Sequence, residues 1–194
     1  MISVERLFRL KSFVIIELCQ FFRRLIYMVL FNSQRVISFG QPVLMRGKGK
    51  VTIGKNVTFG VGQSPNYLNT VGYIDCREEG SSIIISDNVK FNNNFSLISR
   101  VERIFIGENC LIGGSFKVFS SDFHSLNFED RSKGHAMGAD VTIGNNVFIA
   151  DNVTILKGVE IGDNSVIGAG SIVTKSIPKK CVYAGNPAVF IKRL

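Results

Sequence analysis

The chain has 194 residues, 45% hydrophobic and 20% charged, and carries a formal net charge of +8. This size implies one domain with at most an appendage, and the balance of apolar and charged residues excludes an intrinsically disordered chain. The four cysteines (Cys19, Cys76, Cys110, Cys181) lie far apart, which excludes a disulfide framework and a paired-cysteine zinc site and points to reduced thiols in a cytoplasmic protein.

The charge is not evenly spread. Residues 1–50 hold nine Lys/Arg and two acids, a balance of +7, whereas residues 51–194 balance at +1. A nucleic-acid binder carries its basic character on the folded body, so no nucleic-acid partner is expected. Residues 1–40 form a basic segment rich in Phe, Leu, Ile and Val. Its uncharged runs are too short for a membrane span, which needs about 20 mostly apolar residues. No small-residue cleavage site follows an apolar run, so no signal peptide is expected. On a helical wheel Glu5, Arg6, Arg9, Glu17, Arg23 and Arg24 share about a third of the circumference. Leu18, Phe22, Leu25 and Val29 share the opposite side, and Lys11 stands outside the polar arc. The prediction is an amphipathic α-helix. Two roles stand open for it: peripheral attachment to the inner, anionic face of a membrane, or packing as a cap on the domain or on a sister subunit.

From residue 141 the chain reads VTIGNN VFIADN VTILKG VEIGDN SVIGAG SIVTKS. Apolar residues recur every six positions at Ile143, Ile149, Ile155, Ile161, Ile167 and Val173. Neither a helix nor a plain alternating strand has that period. The same register runs through Ile53 and Phe59, through Ile85, Phe91 and Leu97, and through Ile106, Ile112 and Val118. Phase breaks place insertions at residues 61–80 and 120–140, with a three-residue bulge between Leu97 and Ile106. Short strands joined by Gly and Asn corners, with one buried residue in six, predict an all-β parallel β-helix over residues 41–194. Periodicity does not give its hand, and the usual crossover rule would favour a right-handed path.

The stretch IGDNSVIGAGSIVTKSIP followed by AGNPA, residues 161–188, resembles the hexapeptide-repeat acyltransferases, in particular the galactoside and maltose O-acetyltransferase branch. The resemblance covers roughly residues 51–194. It implies a left-handed β-helix, a homotrimer with active sites between subunits, and acetyl-CoA as co-substrate. It also implies a sugar or glycan acceptor, such as a surface polysaccharide or its precursor.

Both histidines, His124 and His135, lie in the 120–140 insertion, which is predicted to protrude as a loop. The resemblance makes His124 the catalytic base. Imidazole suits that task at neutral pH, and no Cys or Ser lies in a nucleophile motif, so direct transfer is expected. Asp122 has two readings, orienting the His124 ring or binding its own turn. His135 is a candidate for the acceptor pocket or a solvated loop residue. Asn94, in FNNNF, matches the family's asparagine, which helps hold substrate or the developing oxyanion; as a corner residue it would be structural. Glu102 falls where relatives carry an acidic sugar-binding residue and also in the bulge, where a carboxylate is simply solvated.

For the coenzyme the resemblance points to Asp151, Ala169, Thr174 and Lys175 along the pantetheine arm and to Lys192 at the phosphates. Val189 stands where relatives often carry arginine. No metal is expected: the carbonic anhydrase built on the same helix needs three histidines for zinc, and the chain has two. An N-acetyltransferase acting on an amino sugar and a non-catalytic β-helix scaffold are the alternative functions.

Overall fold

The computed structural model describes residues 4–31, 40–133 and 136–194. Among these described residues there are one helix, α1 (Val4–Phe31), and eighteen short strands. The strands are β1 (Val43–Arg46), β2 (Lys50–Ile53), β3 (Thr58–Phe59), β4 (Gly72–Cys76), β5 (Ser82–Ile85), β6 (Lys90–Phe91), β7 (Ser96–Ser99), β8 (Arg103–Ile106), β9 (Leu111–Ile112), β10 (Lys117–Phe119), β11 (Val141–Ile143), β12 (Phe148–Ile149), β13 (Thr154–Ile155), β14 (Glu160–Ile161), β15 (Val166–Ile167), β16 (Ile172–Val173), β17 (Cys181–Ala184) and β18 (Val189–Arg193).

From β1 to β16 every third strand falls in the same sheet, and β17 and β18 both join sheet C. Sheet A runs β1-β4-β7-β10-β13-β16, sheet B β14-β11-β8-β5-β2, and sheet C β18-β17-β15-β12-β9-β6-β3. Successive coils therefore pass B, then C, then A, around a three-sided solenoid. All pairings are parallel except β17 with β18. The six-residue ladder is the core. Leu97, Val118, Ile155 and Val173 are in register up sheet A, and Ile85, Ile106, Ile143 and Ile161 up sheet B. Phe91, Ile112, Ile149 and Ile167 do the same in sheet C, all buried. Each rung stacks on its equivalent, so the apolar burial that stabilises the fold is repeated once per strand.

The corners explain the asparagines. Asn56, Asn88, Asn109, Asn146 and Asn164 occupy one corner column, each with φ near +60°. Left-handed backbone is costly for most residues, and Asn tolerates it. The side chains also bond up the column, Asn56 to Asn88 at 3.1 Å and Asn146 to Asn164 at 2.8 Å.

One boundary needs correction. The 61–80 segment is not a single insertion, because it contains β4, whose Ile74 is buried and pairs with Met45 and Leu97. Ile74 lies fifteen residues after Phe59 and eleven before Ile85, so an excursion on each side hides it from a six-residue count. β1 likewise adds a rung ahead of the repeat.

The helix docks in an unexpected sense. The described part of its polar arc, from Glu17 onward, faces the solenoid. Gln20 is buried and donates to the Tyr67 carbonyl, Arg23 donates to the carbonyls of Tyr67 (3.2 Å) and Thr70 (2.8 Å), and Arg24 to that of Gly40 (3.2 Å). Glu17 accepts from the Tyr67 hydroxyl at 3.3 Å. Leu18, Phe22, Leu25 and Val29 point outward.

Candidate active site

The 120–140 loop leaves the edge where sheet A turns into sheet B. Its stems are zipped together: Ala139 N–H donates to the Ser120 carbonyl at 2.9 Å, and Asp122 N–H to that of Met137 at 3.1 Å. Two carboxylates anchor this base. Asp122 Oδ2 meets Lys157 Nζ at 2.5 Å, both side chains about a quarter exposed (24% and 26%). Glu102, half-buried in the bulge, accepts from Ser120 Oγ at 2.8 Å and from Val101 N–H at 3.2 Å. It lies against Gly138, where a Cβ would come within 1.5 Å of Glu102 Oε1.

His124 stands just past the base, exposed to solvent. Its Nδ1 lies 3.3 Å from the Arg131 carbonyl oxygen. A carbonyl only accepts, so this contact places a ring proton on Nδ1, and in the neutral ring the lone pair is then on Nε2. Phe123 before it has φ +59°, rare for an aromatic residue and of the kind stored at functional sites. The Phe123 ring is fixed edge-on to Phe119 at 6.0 Å, with the Arg77 guanidinium 4.8 Å above it. Arg77 in turn donates to Asp75 Oδ2 from Nε (3.1 Å) and Nη2 (2.9 Å). A cleft of about 410 Å³ opens beside the base, with Phe119, Phe123 and Leu156 on its apolar side and Ser121, Asp122, Lys157 and Thr174 on its polar side.

The sequence-predicted residues thus divide between two edges. His124, Asp122, Glu102, Thr174 and Lys175 share the sheet A to sheet B edge. Asn94, Asp151 and Ala169 lie on the sheet C to sheet A edge. Lys192 is exposed in β18, and His135 lies outside the described residues. Asn94 has φ +65°, in one corner column with Ser115, Asn152 and Gly170, and donates from Nδ2 to Ser115 Oγ at 3.0 Å. Asp151 Oδ1 accepts from Gly114 N–H at 2.5 Å. Asp87, Asn145 and Asp163 make the same bond to the N–H of Lys55, Glu108 and Asn145. Asp151 is therefore a rung of the scaffold, whatever else it does. At Ala169–Gly170 the edge is open, since nothing lies within 4 Å of a Cβ built on Gly170. Among the described residues the partner of Asp122 is Lys157, not the His124 ring. Sequence reasoning missed Lys157, Arg77 and Phe123. Lys157 was readable as a lone cation at a repeat corner, but the other two gave no signal.

Comparisons agree with this architecture. Residues 140–175 match the family model of the bacterial transferase hexapeptide (six repeats). The putative lipopolysaccharide biosynthesis O-acetyl transferase WbbJ of Escherichia coli is 34% identical over 190 residues, spanning 91% of this chain and 89% of that one. The chain belongs to the hexapeptide-repeat acyltransferase family. The chain is also 44% identical over 115 residues to the galactoside O-acetyltransferase of E. coli, covering 59% of this chain but only 56% of that protein. The solved galactoside acetyltransferase in complex with coenzyme A superposes with a TM-score of 0.55 at 34% identity, over 78% of this chain and 65% of that one.

Proposed function

We propose that the chain is an acetyl-CoA-dependent O-acetyltransferase that esterifies a hydroxyl of a sugar, in a surface polysaccharide or its precursor. The observation that carries this reading is His124: its Nδ1 is occupied by a backbone carbonyl, and its Nε2 is presented as an acceptor on a clamped loop. In this reading Nε2 takes the hydroxyl proton as the sugar oxygen attacks the thioester carbonyl carbon. The carbon–sulfur bond breaks, and the imidazolium returns that proton to the departing thiolate. The amide of Asn94 supplies a donor to the developing oxyanion. Ala169, Thr174, Lys175, Lys192 and the second oxygen of Asp151 line the path of the coenzyme. The coenzyme A bound to the galactoside enzyme and the O-acetyl transfer named for two relatives support the assignment.

The same reading includes a left-handed coil, a homotrimer and a cytoplasmic location.

Free-thiol release from acetyl-CoA against a panel of sugars tests the proposal. His124→Ala is expected to lower turnover at least about a hundredfold, the usual worth of a positioned general base. Turnover that survives the substitution would overturn the role of His124. Transfer confined to amino sugars, with the product an amide, would replace O- by N-acetylation.

A further inference from the structure

The outer face of α1 is apolar from Val14 to Val29, with Lys11 one turn ahead of it. Ile15, Leu18, Phe22, Ile26 and Val29 fall within about a quarter of the wheel and are all more than half exposed, Val29 by 73%. The opposite face is already spent on the solenoid through Glu17, Gln20, Arg23 and Arg24. Rotation cannot hide the apolar arc without breaking those bonds, so the chain holds a continuous greasy stripe away from its own core. A patch of that size on a soluble surface marks an interaction site.

Charge decides between occupants. Lys11 is exposed and falls on the same side of the wheel as Leu18, Phe22 and Val29. Packing this stripe against the same stripe of a second copy would bury Lys11 in an apolar contact, beside a second lysine if the copies lie in register. A lipid surface accommodates it, because the aliphatic stem of a lysine lies among apolar neighbours while its ammonium snorkels to the headgroups. The first helical turns also carry Arg6 and Arg9 against Glu5 alone, and residues 1–50 balance at +7. Among the described residues no helix is long and apolar enough to cross a membrane.

We propose that α1 is a docking helix for an anionic lipid bilayer, lying in the interface with its apolar stripe among the acyl chains. Its polar face stays bonded to the solenoid, so docking would hold the whole catalytic body at the membrane. The inference stands on α1 alone and does not depend on the acetyl-transfer reading.

Co-sedimentation of the full chain with phosphatidylcholine vesicles, with and without phosphatidylglycerol, tests it. Wild type is expected to bind the anionic vesicles and to be weakened by salt. Leu18→Asp/Phe22→Asp alters exposed positions and should lower binding at least about a hundredfold, from the lost burial of two large side chains. Lys11→Glu should weaken binding to anionic vesicles several-fold while leaving neutral ones unaffected. Light scattering on the same variants gives the opposing outcome. If the double substitution dissociates the oligomer and vesicle binding is absent in wild type, the stripe is a subunit interface and the proposal is overturned.

Discussion

Gly138 tests whether Glu102 serves the loop or the acceptor. A methyl group at position 138 would lie 1.5 Å from Glu102 Oε1 and 2.0 Å from its Cδ, so the carboxylate must swing away. Gly138 lies outside the left-handed region, so alanine meets no backbone penalty there. What is lost is the pair of bonds Glu102 accepts, from Ser120 Oγ and Val101 N–H. Hydrogen bonds to a charged group are worth about 1.5–3 kcal/mol when buried, and Glu102 is only half-buried, so Gly138→Ala should cost about 1–2 kcal/mol. For a chain of this size that lowers the melting temperature by roughly 2–8 °C. Glu102→Ala loses the same bonds and should cost the same. Because both substitutions remove one arrangement, the double variant should be little worse than either single one. Turnover should follow, because His124 begins two residues beyond the clamp, and a displacement near 1 Å costs up to about a hundredfold. Thermal unfolding and free-thiol release on the four proteins give the full cycle. Additive stability losses would refute the clamp. A normal melting temperature in Glu102→Ala with a raised KM for the sugar would restore its acceptor-binding role.

Two stability effects follow from the scaffold. Burial pushes the Cys110 thiol up from 9.0 to about 11, against bonds that lower it. The folded state therefore favours the neutral thiol, and stability should fall as pH rises from about 9 to about 11, by roughly 2–3 kcal/mol in all. Urea titrations should show that slope diminished in Cys110→Ala. Asn146 has φ +53° and donates to Asn164 at 2.8 Å. Asn146→Ala should cost about 1–2 kcal/mol, most of it recovered by Asn146→Gly, which tolerates the left-handed corner.

The repeat made most of the fold legible, because one buried residue in six is a constraint every coil must meet. Ile143 through Val173 obey it without a break, and the structure stacks them as expected. Ile74 was illegible for the same reason. Excursions of different length on its two sides leave the residue in place but destroy its phase. The candidate site stood out in the sequence where chemistry is rare: two histidines in the chain, both between residues 120 and 140. It was not legible where one residue type does two jobs. Asp151 and Asn94 stand in corner columns whose other members are structural, and only the partners across coils show it. For α1 the wheel separated the side of Glu17, Arg23 and Arg24 from that of Leu18, Phe22 and Val29, as the structure does, but could not say which faces the body. Apolar burial would send the Leu18 stripe inward, yet the carbonyls of Tyr67, Thr70 and Gly40 are met by Gln20, Arg23 and Arg24 instead.

The division of the site between two edges has a consequence for assembly. Asn94 precedes β7 on one edge, and His124 follows β10 on the other, with sheet A between them. Four strand residues such as Ser96–Ser99 span roughly 13 Å, whereas two groups that both bind one small substrate centre must lie within about 6 Å of each other. The loop cannot close that gap by swinging back, because Ser120, Asp122 and Lys157 fix its base two residues before His124. If both residues serve one reaction, the Asn94 that meets a given His124 belongs to another copy. Inactive His124→Ala and inactive Asn94→Ala chains, unfolded and reassembled together, should then recover activity. In a ring with one type of interface, about a quarter of the sites would pair an intact His124 with an intact Asn94. Recovery near that fraction of wild-type turnover would establish the shared site. Mixtures no more active than either variant alone would place both residues' roles, if Asn94 has a catalytic one, within a single chain.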